Sequence, residues 1–269
     1  MKGDIPVLST WGDNLPLAWE KSVLLVGDWG AKIATEYDRP GDPPSRDCTM
    51  VVTVEEPLAE PRIHRAFPAD LETLEVYRQE VVFGVHDHYV GDHGWSYSYH
   101  DRLFNYSPGV DQIGLLVEKL AEVPYSRRAQ AITWIPTTDA LIHEPPCLQR
   151  IWCRLLPNED RTLVLNMNTH WRSRDAFHAA FMNMFALTDL QRWIAERIAV
   201  LRGEEILVGR YVDISDSYHI YGKDWEEFER FQALVRSRSF EDRTWTTAFA
   251  EPFFERARQQ LQEELTQVG

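Results

Sequence analysis

Cys147 directly follows Pro145 and Pro146. Two prolines remove backbone donors and stiffen the approach, so the thiol can be aimed. Ionised, such a thiol is a nucleophile; the commoner fate of a cysteine is an inert, buried side chain. Two arginine clusters offer a second chemistry. Arg127-Arg128 follows Pro124-Tyr125-Ser126, and Arg172-Ser173-Arg174-Asp175 opens a long helix-like run. A guanidinium is a planar fork of donors that matches phosphate, and a serine hydroxyl with the N–H groups of a helix start extends such a site. A solvated charged face is the plainer reading of either cluster. Asn183 stands among Phe181, Met182, Met184 and Phe185, where an amide is costly unless partnered. Its carboxamide could meet O4 and N3–H of a uracil edge together, or it could bond neighbouring backbone. His219 and Tyr221 alternate along an extended stretch and so share a face. They could bond sugar hydroxyls or form a structural pair.

These residues need elements to hold them. Thr49-Met50-Val51-Val52-Thr53-Val54 is largely β-branched and reads as a strand. Gln130 to Trp134, Leu148 to Leu155, Thr162 to Asn166 and Ile206 to Ile214 read as further strands. Leu71 to Val85 has helical spacing through Leu71, Leu74, Val81 and Val82. Arg174 to Leu201 is the clearest helix, with Phe177, Phe181, Met184, Leu187, Leu190, Ile194 and Ile198 at three- or four-residue steps and Gly203 as a stop. A break at Thr188-Asp189 could cap a second helix. Phe253 to Thr266 reads as an amphipathic helix. Asp38 to Arg46 is rich in Pro and Gly and reads as a mobile loop. Strands and helices mix without strict alternation. The expected fold class is therefore α+β, a mixed β-sheet layered with helices, in one domain over 1–269.

Bulk properties exclude several classes. The chain is long enough, at 269 residues, to bury a substantial core. Its net charge of −14 repels phosphate backbones, so no nucleic-acid partner is expected. A small anion remains possible where cations cluster. Cys48, Cys147 and Cys153 show neither the even count nor the spacing of a disulfide framework or zinc site. No metal is expected, and a reduced, cytoplasmic setting is the simpler reading. The N-terminal stretch lacks the apolar core of a signal peptide, and no apolar run approaches the roughly 20 residues that span a bilayer, so no membrane association is expected.

Taken in order, these segments resemble the thymidylate synthase family, most closely its divergent archaeal-type branch. Pro145-Pro146-Cys147 is similar to the family's nucleophile motif, and Ser126-Arg127-Arg128 to its phosphate clamp, with Trp134 placed as the family places a tryptophan. Arg172-Ser173-x-Asp175 followed by Asn183 matches its spacing, and His219-x-Tyr221 its sugar-binding pair. Order and gaps agree over about residues 80 to 225, and Tyr97 to Leu103 has the wording of the archaeal branch.

The resemblance implies the fold of thymidylate synthase and dCMP hydroxymethylase, a sheet-mediated homodimer, and a pyrimidine nucleoside monophosphate as substrate. It implies conversion of dUMP to dTMP with 5,10-methylenetetrahydrofolate or a related reduced pterin as co-substrate. Cys147 would attack ring carbon 6, with nearby arginines favouring its thiolate. Arg127 and Arg128 would reach the neighbouring subunit's site, while Arg172 and Ser173 bind phosphate at home. Asn183 would read the base, and His219 and Tyr221 the 3′-hydroxyl. Asp175 would bond the pterin. Tyr99 and Glu80 would serve proton transfer, with Glu75 the rival of Glu80. A loop arginine, Arg39 or Arg46, would add to the phosphate site. The chain departs from the family at Leu148, Trp171 and Ala179, where the family has His, Gln and Gly, and its C-terminal residues do not match the family's lid. Hydroxymethylation of dUMP, dCMP or CMP, a non-catalytic nucleotide-binding role and a Cys-His hydrolase are the alternatives weighed against methylation.

Overall fold

The computed structural model describes residues 3–91 and 94–268. Met1, Lys2 and Gly269, at the ends of stretches read above, lie outside the described residues. The strands are β1 (Val7–Gly12), β2 (Ala31–Ile33), β3 (Ser45–Val54), β4 (Ile63–His64), β5 (Gln130–Ile132), β6 (Leu148–Pro157), β7 (Leu163–Trp171), β8 (Arg174–Asp175), β9 (Ile206–Ile220) and β10 (Thr244–Trp245). The helices are α1 (Leu15–Trp29), α2 (Leu71–Phe83), α3 (Tyr99–Phe104), α4 (Tyr106–Gly109), α5 (Gln112–Glu122), α6 (Pro136–Asp139), α7 (Ala180–Arg202), α8 (Trp225–Ser237) and α9 (Thr247–Val268).

One mixed sheet organises the molecule, in the order β1-β3-β9-β7-β6-β5, with β2 added to β3 and β8 to β9. β1 runs parallel to β3, and β7 parallel to β9, while β3–β9, β6–β7 and β5–β6 are antiparallel. Side chains alternate across a strand. One face carries Met50, Val52, Val54, Ile151, Cys153, Leu155, Leu165 and Met167, all buried. Toward the other end of β7 and β9 that same face turns polar, with Thr169, Asp213 and Ser215 still buried. The opposite face stays half-exposed through Val51, Trp152, Val164, Val212 and Ile214.

α1 and α7 pack on the buried face. Asn14 starts α1 by accepting a hydrogen bond from the Leu17 N–H at 3.2 Å. Trp19 lies fully buried among Phe177, Phe181 and Phe231, and its Nε1 donates to the Ala176 carbonyl at 2.9 Å. α1 thereby pins the segment just after Asp175. Neither β1 nor α1 is expected from the sequence pattern, because β1 is half-exposed and α1 is apolar on more than one face.

Boundaries differ from expectation in physical ways. α2 ends at Phe83 because Gly84 adopts a left-handed cap, φ 64°. The long helix starts at Ala180, not Arg174, since Arg174-Asp175 is extended and pairs with Tyr218-His219. It runs unbroken through Thr188-Asp189. The Thr188 hydroxyl donates to the Phe185 carbonyl, and buried Asp189 meets Arg62 and Arg192, so neither side chain caps a new helix. Among the described residues no helix is long and apolar enough to cross a membrane.

Candidate active site

Cys147 sits in the loop that enters β6, beside a cavity of about 290 Å³. Arg172, one residue past β7, holds that loop. Its Nε donates to the Pro146 carbonyl at 3.1 Å, an Nη to the Pro145 carbonyl at 2.6 Å, and its backbone N–H to the Cys147 carbonyl at 2.9 Å. The Pro146 carbonyl also accepts from Gln149 Nε2 at 2.8 Å, which ties the loop to the start of β6. Burial pushes the Cys147 thiol up from its ordinary value, against the pull of Arg172 and Arg174, with Glu144 adding to the rise. The arginines favour the thiolate as expected, but burial outweighs them.

The floor is a buried charge network. Arg174 pairs with Asp213, lies 4.0 Å above the Trp171 ring and donates to the Ala180 carbonyl at 3.0 Å. Asp213 also accepts from Trp171 Nε1 at 3.1 Å and from the Tyr211 hydroxyl at 2.8 Å. Tyr99, at the start of α3, meets Trp171 edge-on, and its hydroxyl accepts from the Leu148 N–H at 3.4 Å. Burial raises the Tyr99 hydroxyl well above its usual value. Leu148 is fully buried.

Asn183 enters the cavity from the first turn of α7, 8% exposed, and its Nδ2 donates to the Tyr77 hydroxyl. One Nδ2 hydrogen and Oδ1 remain for a ligand edge. Tyr77 is a cavity residue that sequence reasoning missed. It stands on the same helix as Glu75 and Glu80, whose charges drew the attention, and burial lifts its hydroxyl above the usual range.

His219, Tyr221, Ser173, Asp175 and Ala179 complete the wall. Asp175 lies opposite His219 in the β8–β9 register. Its Oδ1 accepts from the N–H groups of Phe177 at 2.9 Å and His178 at 2.8 Å. Burial works against the carboxylate, yet these bonds and His178 hold it below its usual range. His178 is raised in turn, Asp175 foremost, with Asp224 and Glu227 adding to the effect. Asp175, His178 and Asp224 could hold a metal ion, their ligand atoms lying within 4.8 Å of one another; His178 Nδ1 lies 3.5 Å from Asp175 Oδ2 and 3.4 Å from Asp224 Oδ2. Tyr221 is pushed up to about 12, mainly by burial, and Tyr37 meets its ring edge-on at 5.6 Å.

The family model for thymidylate synthase matches residues 62–264. The chain belongs to the thymidylate synthase family. A Methanosarcina mazei protein that carries the provisional name thymidylate synthase is 30% identical over 228 residues, covering 83% of this chain and 90% of its own. A Methanosarcina acetivorans protein of the same provisional name is 30% identical over 224 residues, with the same coverage. Thermostable thymidylate synthase A from Bacillus subtilis superposes with a TM-score of 0.57 over 82% of this chain and 84% of its own, at 17% identity, which establishes a shared fold.

Against that family, several expected residues lie apart from the cavity. Glu80 lines a neighbouring cavity of about 240 Å³ with Trp95 and Tyr97, which shares Tyr77 and Tyr99 with the first. Burial raises its carboxyl, and His86 Nδ1, 2.7 Å away, draws it back. Its rival Glu75 is fully buried between Arg78, Gln79 and Arg258 and lines neither cavity. Arg127 and Arg128 are exposed, just before edge strand β5, and do not line the Cys147 cavity. Arg46 stacks over Trp225 at 4.9 Å and keeps one buried Nη without a hydrogen-bond partner, while Arg39 is exposed in the turn it closes with Asp42. Ser173 precedes an extended pair, so no helix start adds donors beside it.

Proposed function

We propose that the chain is a C5 methyltransferase that converts dUMP to dTMP. The observation that carries this reading is the convergence of Cys147 and Asn183 on one cavity with His219 and Tyr221. Uracil carbon 5 is a poor nucleophile. Addition of the Cys147 thiolate to carbon 6 makes carbon 5 enolate-like, and later elimination of the thiolate restores the ring. Asn183, already bonded to Tyr77 through one hydrogen, offers its second N–H to O4 and its oxygen to N3–H. Ser173 and the guanidinium N–H groups of Arg172 not given to the Pro145 and Pro146 carbonyls bind the phosphate, joined by a loop arginine, Arg39 or Arg46. Tyr99 and Glu80 move the carbon-5 proton, with water between Glu80 and the ring across the Tyr77–Tyr99 boundary.

A methylene-carrying reduced pterin, 5,10-methylenetetrahydrofolate or a relative, supplies the carbon and the hydride when bound. The residues fit it: Asp175 presents an ionised carboxylate in the cavity wall, an acceptor for pterin N–H groups. The half-exposed sheet face suits a homodimer, which would bring Arg127 and Arg128 of one protomer to its partner's site. Three free cysteines suit a cytoplasmic, reducing setting.

One observation favours hydroxymethylation as a second reading. The C-terminal helix α9 packs against α2, and no α9 residue lines the cavity. Water admitted there could trap the exocyclic methylene before reduction. The test is incubation with carbon-5-tritiated dUMP, dCMP or CMP and methylenetetrahydrofolate, following tritium release and product mass. Release from dUMP with a methyl product is expected. A hydroxymethyl product selects the second reading, and no release from any nucleotide by folded protein sinks both. Cys147→Ser should abolish turnover while nucleotide binding stays measurable.

A further inference from the structure

We propose that Asp47 and Ser217 fix the tautomer of His219, so that this histidine faces the ligand as a hydrogen-bond acceptor and selects a nucleotide with a free sugar hydroxyl. The proposal rests on the nucleotide reading of the cavity and deepens it. Asp47 lies directly opposite His219 in the β3–β9 register, and Ser217 precedes His219 by two residues, on the same face. The Ser217 hydroxyl is 3.0 Å from Asp47 Oδ2 and 3.3 Å from His219 Nδ1.

A hydroxyl has one hydrogen, and a carboxylate only accepts. Burial raises the Asp47 carboxyl, while the Ser217 bond and His219 draw it back; in its ionised form Asp47 takes the Ser217 proton, and the serine oxygen is left to accept from His219. That requires the hydrogen on Nδ1 and leaves the lone pair on Nε2. His219 is 6% exposed, and its Nε2 is buried with no hydrogen-bond partner. The ring stands in the wall of the Cys147 cavity and of a second cavity of about 290 Å³ that reaches Thr35 and Tyr37. An orphaned buried acceptor is unfavourable until a donor arrives. A sugar hydroxyl can donate there; a dideoxy sugar or a fully ionised phosphate cannot. Asp47 and Ser217 are thus positioning residues, acting through His219.

The test has two readouts on the full chain. Long-range proton–nitrogen NMR of histidine-labelled protein, with His219 assigned by His219→Gln, reports the tautomer without ligand. Calorimetry compares dUMP with 2′,3′-dideoxyuridine monophosphate. We expect the Nδ1–H form and a preference for dUMP of about tenfold, the scale of one net hydrogen bond. Ser217→Ala should cut that preference to about threefold or less with little change for the dideoxy nucleotide, and Ser217→Thr should restore it. Asp47→Asn, which can donate to Ser217, should admit the Nε2–H form. An Nε2–H or doubly protonated His219 in the unaltered chain at neutral pH overturns the proposal. So does an undiminished preference in Ser217→Ala. Binding of neither nucleotide overturns the nucleotide reading itself and the ligand half of the proposal with it.

Discussion

At the scale of single residues, the site depends on how few donors and acceptors are left over after the protein has used its own. Asn183 is the clearest case. One amide hydrogen goes to Tyr77, which fixes the side chain and leaves one donor and one acceptor. That remainder is complementary to uracil and mismatched to cytosine, whose corresponding edge presents a donor where uracil presents O4. Asn183→Asp replaces the donor with a second acceptor. We expect its kcat/KM on dUMP to fall by about tenfold or more, since each tenfold is roughly 1.4 kcal/mol and a lost bond to a buried group costs at least that. Turnover or binding of dCMP should rise in the same variant. Steady-state kinetics on both nucleotides checks the reversal, and unchanged dUMP kinetics would remove Asn183 from base reading. Cys147 shows the same dependence on surroundings. Its residue type suggests reactivity, but burial lifts the thiol above its ordinary value against the pull of two arginines.

At the scale of elements, β7, β8 and β9 meet over one carboxylate. Asp213 on β9 is 1% exposed and is shared by Arg174 of β8, by Trp171 of β7 and by Tyr211 of its own strand. This junction holds β8 flat against β9, which places Asp175 beside His219 and delays the start of α7 until Ala180. Breaking such a buried pair leaves Arg174 as an uncompensated charge. Asp213→Asn should therefore cost about 3–5 kcal/mol of stability, readable by denaturant unfolding. A loss under about 1 kcal/mol would show that the floor is held by packing instead. The α7 pattern of the sequence is right in period and wrong at its start. Arg174 and Asp175 carry no side-chain signal that separates a two-residue strand from a first helical turn.

At the scale of the whole molecule, two features carry predictions. The half-exposed sheet face bears Val212 and Ile214 at its centre, on β9 between β3 and β7. If a second copy covers it, Ile214→Arg should shift the mass by light scattering from dimer toward monomer and lower turnover, because Arg127 and Arg128 would no longer reach a partner. A monomeric parent protein that is fully active would refute the shared site. The second feature is acid sensitivity. Buried His64 donates from Nε2 to Glu20 at 3.0 Å and accepts at Nδ1 from the Ala66 N–H at 3.1 Å. Protonation would break the second bond, and burial lowers His64 below its ordinary 6.5. Glu20 is also lowered from 4.5, the His64 and Arg243 bonds outweighing its burial. Both folded-state values lie below the unfolded ones. The stability they contribute is therefore present above about pH 6.5 and lost as pH falls through that value and on past 4.5. The melting temperature should drop over this range, at about 2–4 °C per kcal/mol. His64→Gln should flatten the upper part of the drop; an identical slope in that variant would exclude His64.

The sequence by itself determined the parts of this protein that are local in the chain. The strand at Thr49–Val54, the helical period of α7 and its stop at Gly203 are set by side-chain spacing and one left-handed glycine. Cys147, Asn183 and His219-x-Tyr221 stood out because a thiol after two stiff prolines, an amide in an apolar run and paired polar residues on one face are unusual locally. Tertiary structure alone decided what those residues face. Tyr77 joins the cavity and Glu75 does not because α2, packed on α7 and α9, turns Tyr77 to Asn183 of α7 and Glu75 to Arg258 of α9. Arg46 is stacked on Trp225, and Asp47 is brought to His219 by the antiparallel register of strands some 170 residues apart in their hydrogen-bonded pair. Those outcomes depend on which face of an element is buried and against what, a free-energy balance spread over the whole core and not over any one stretch of chain.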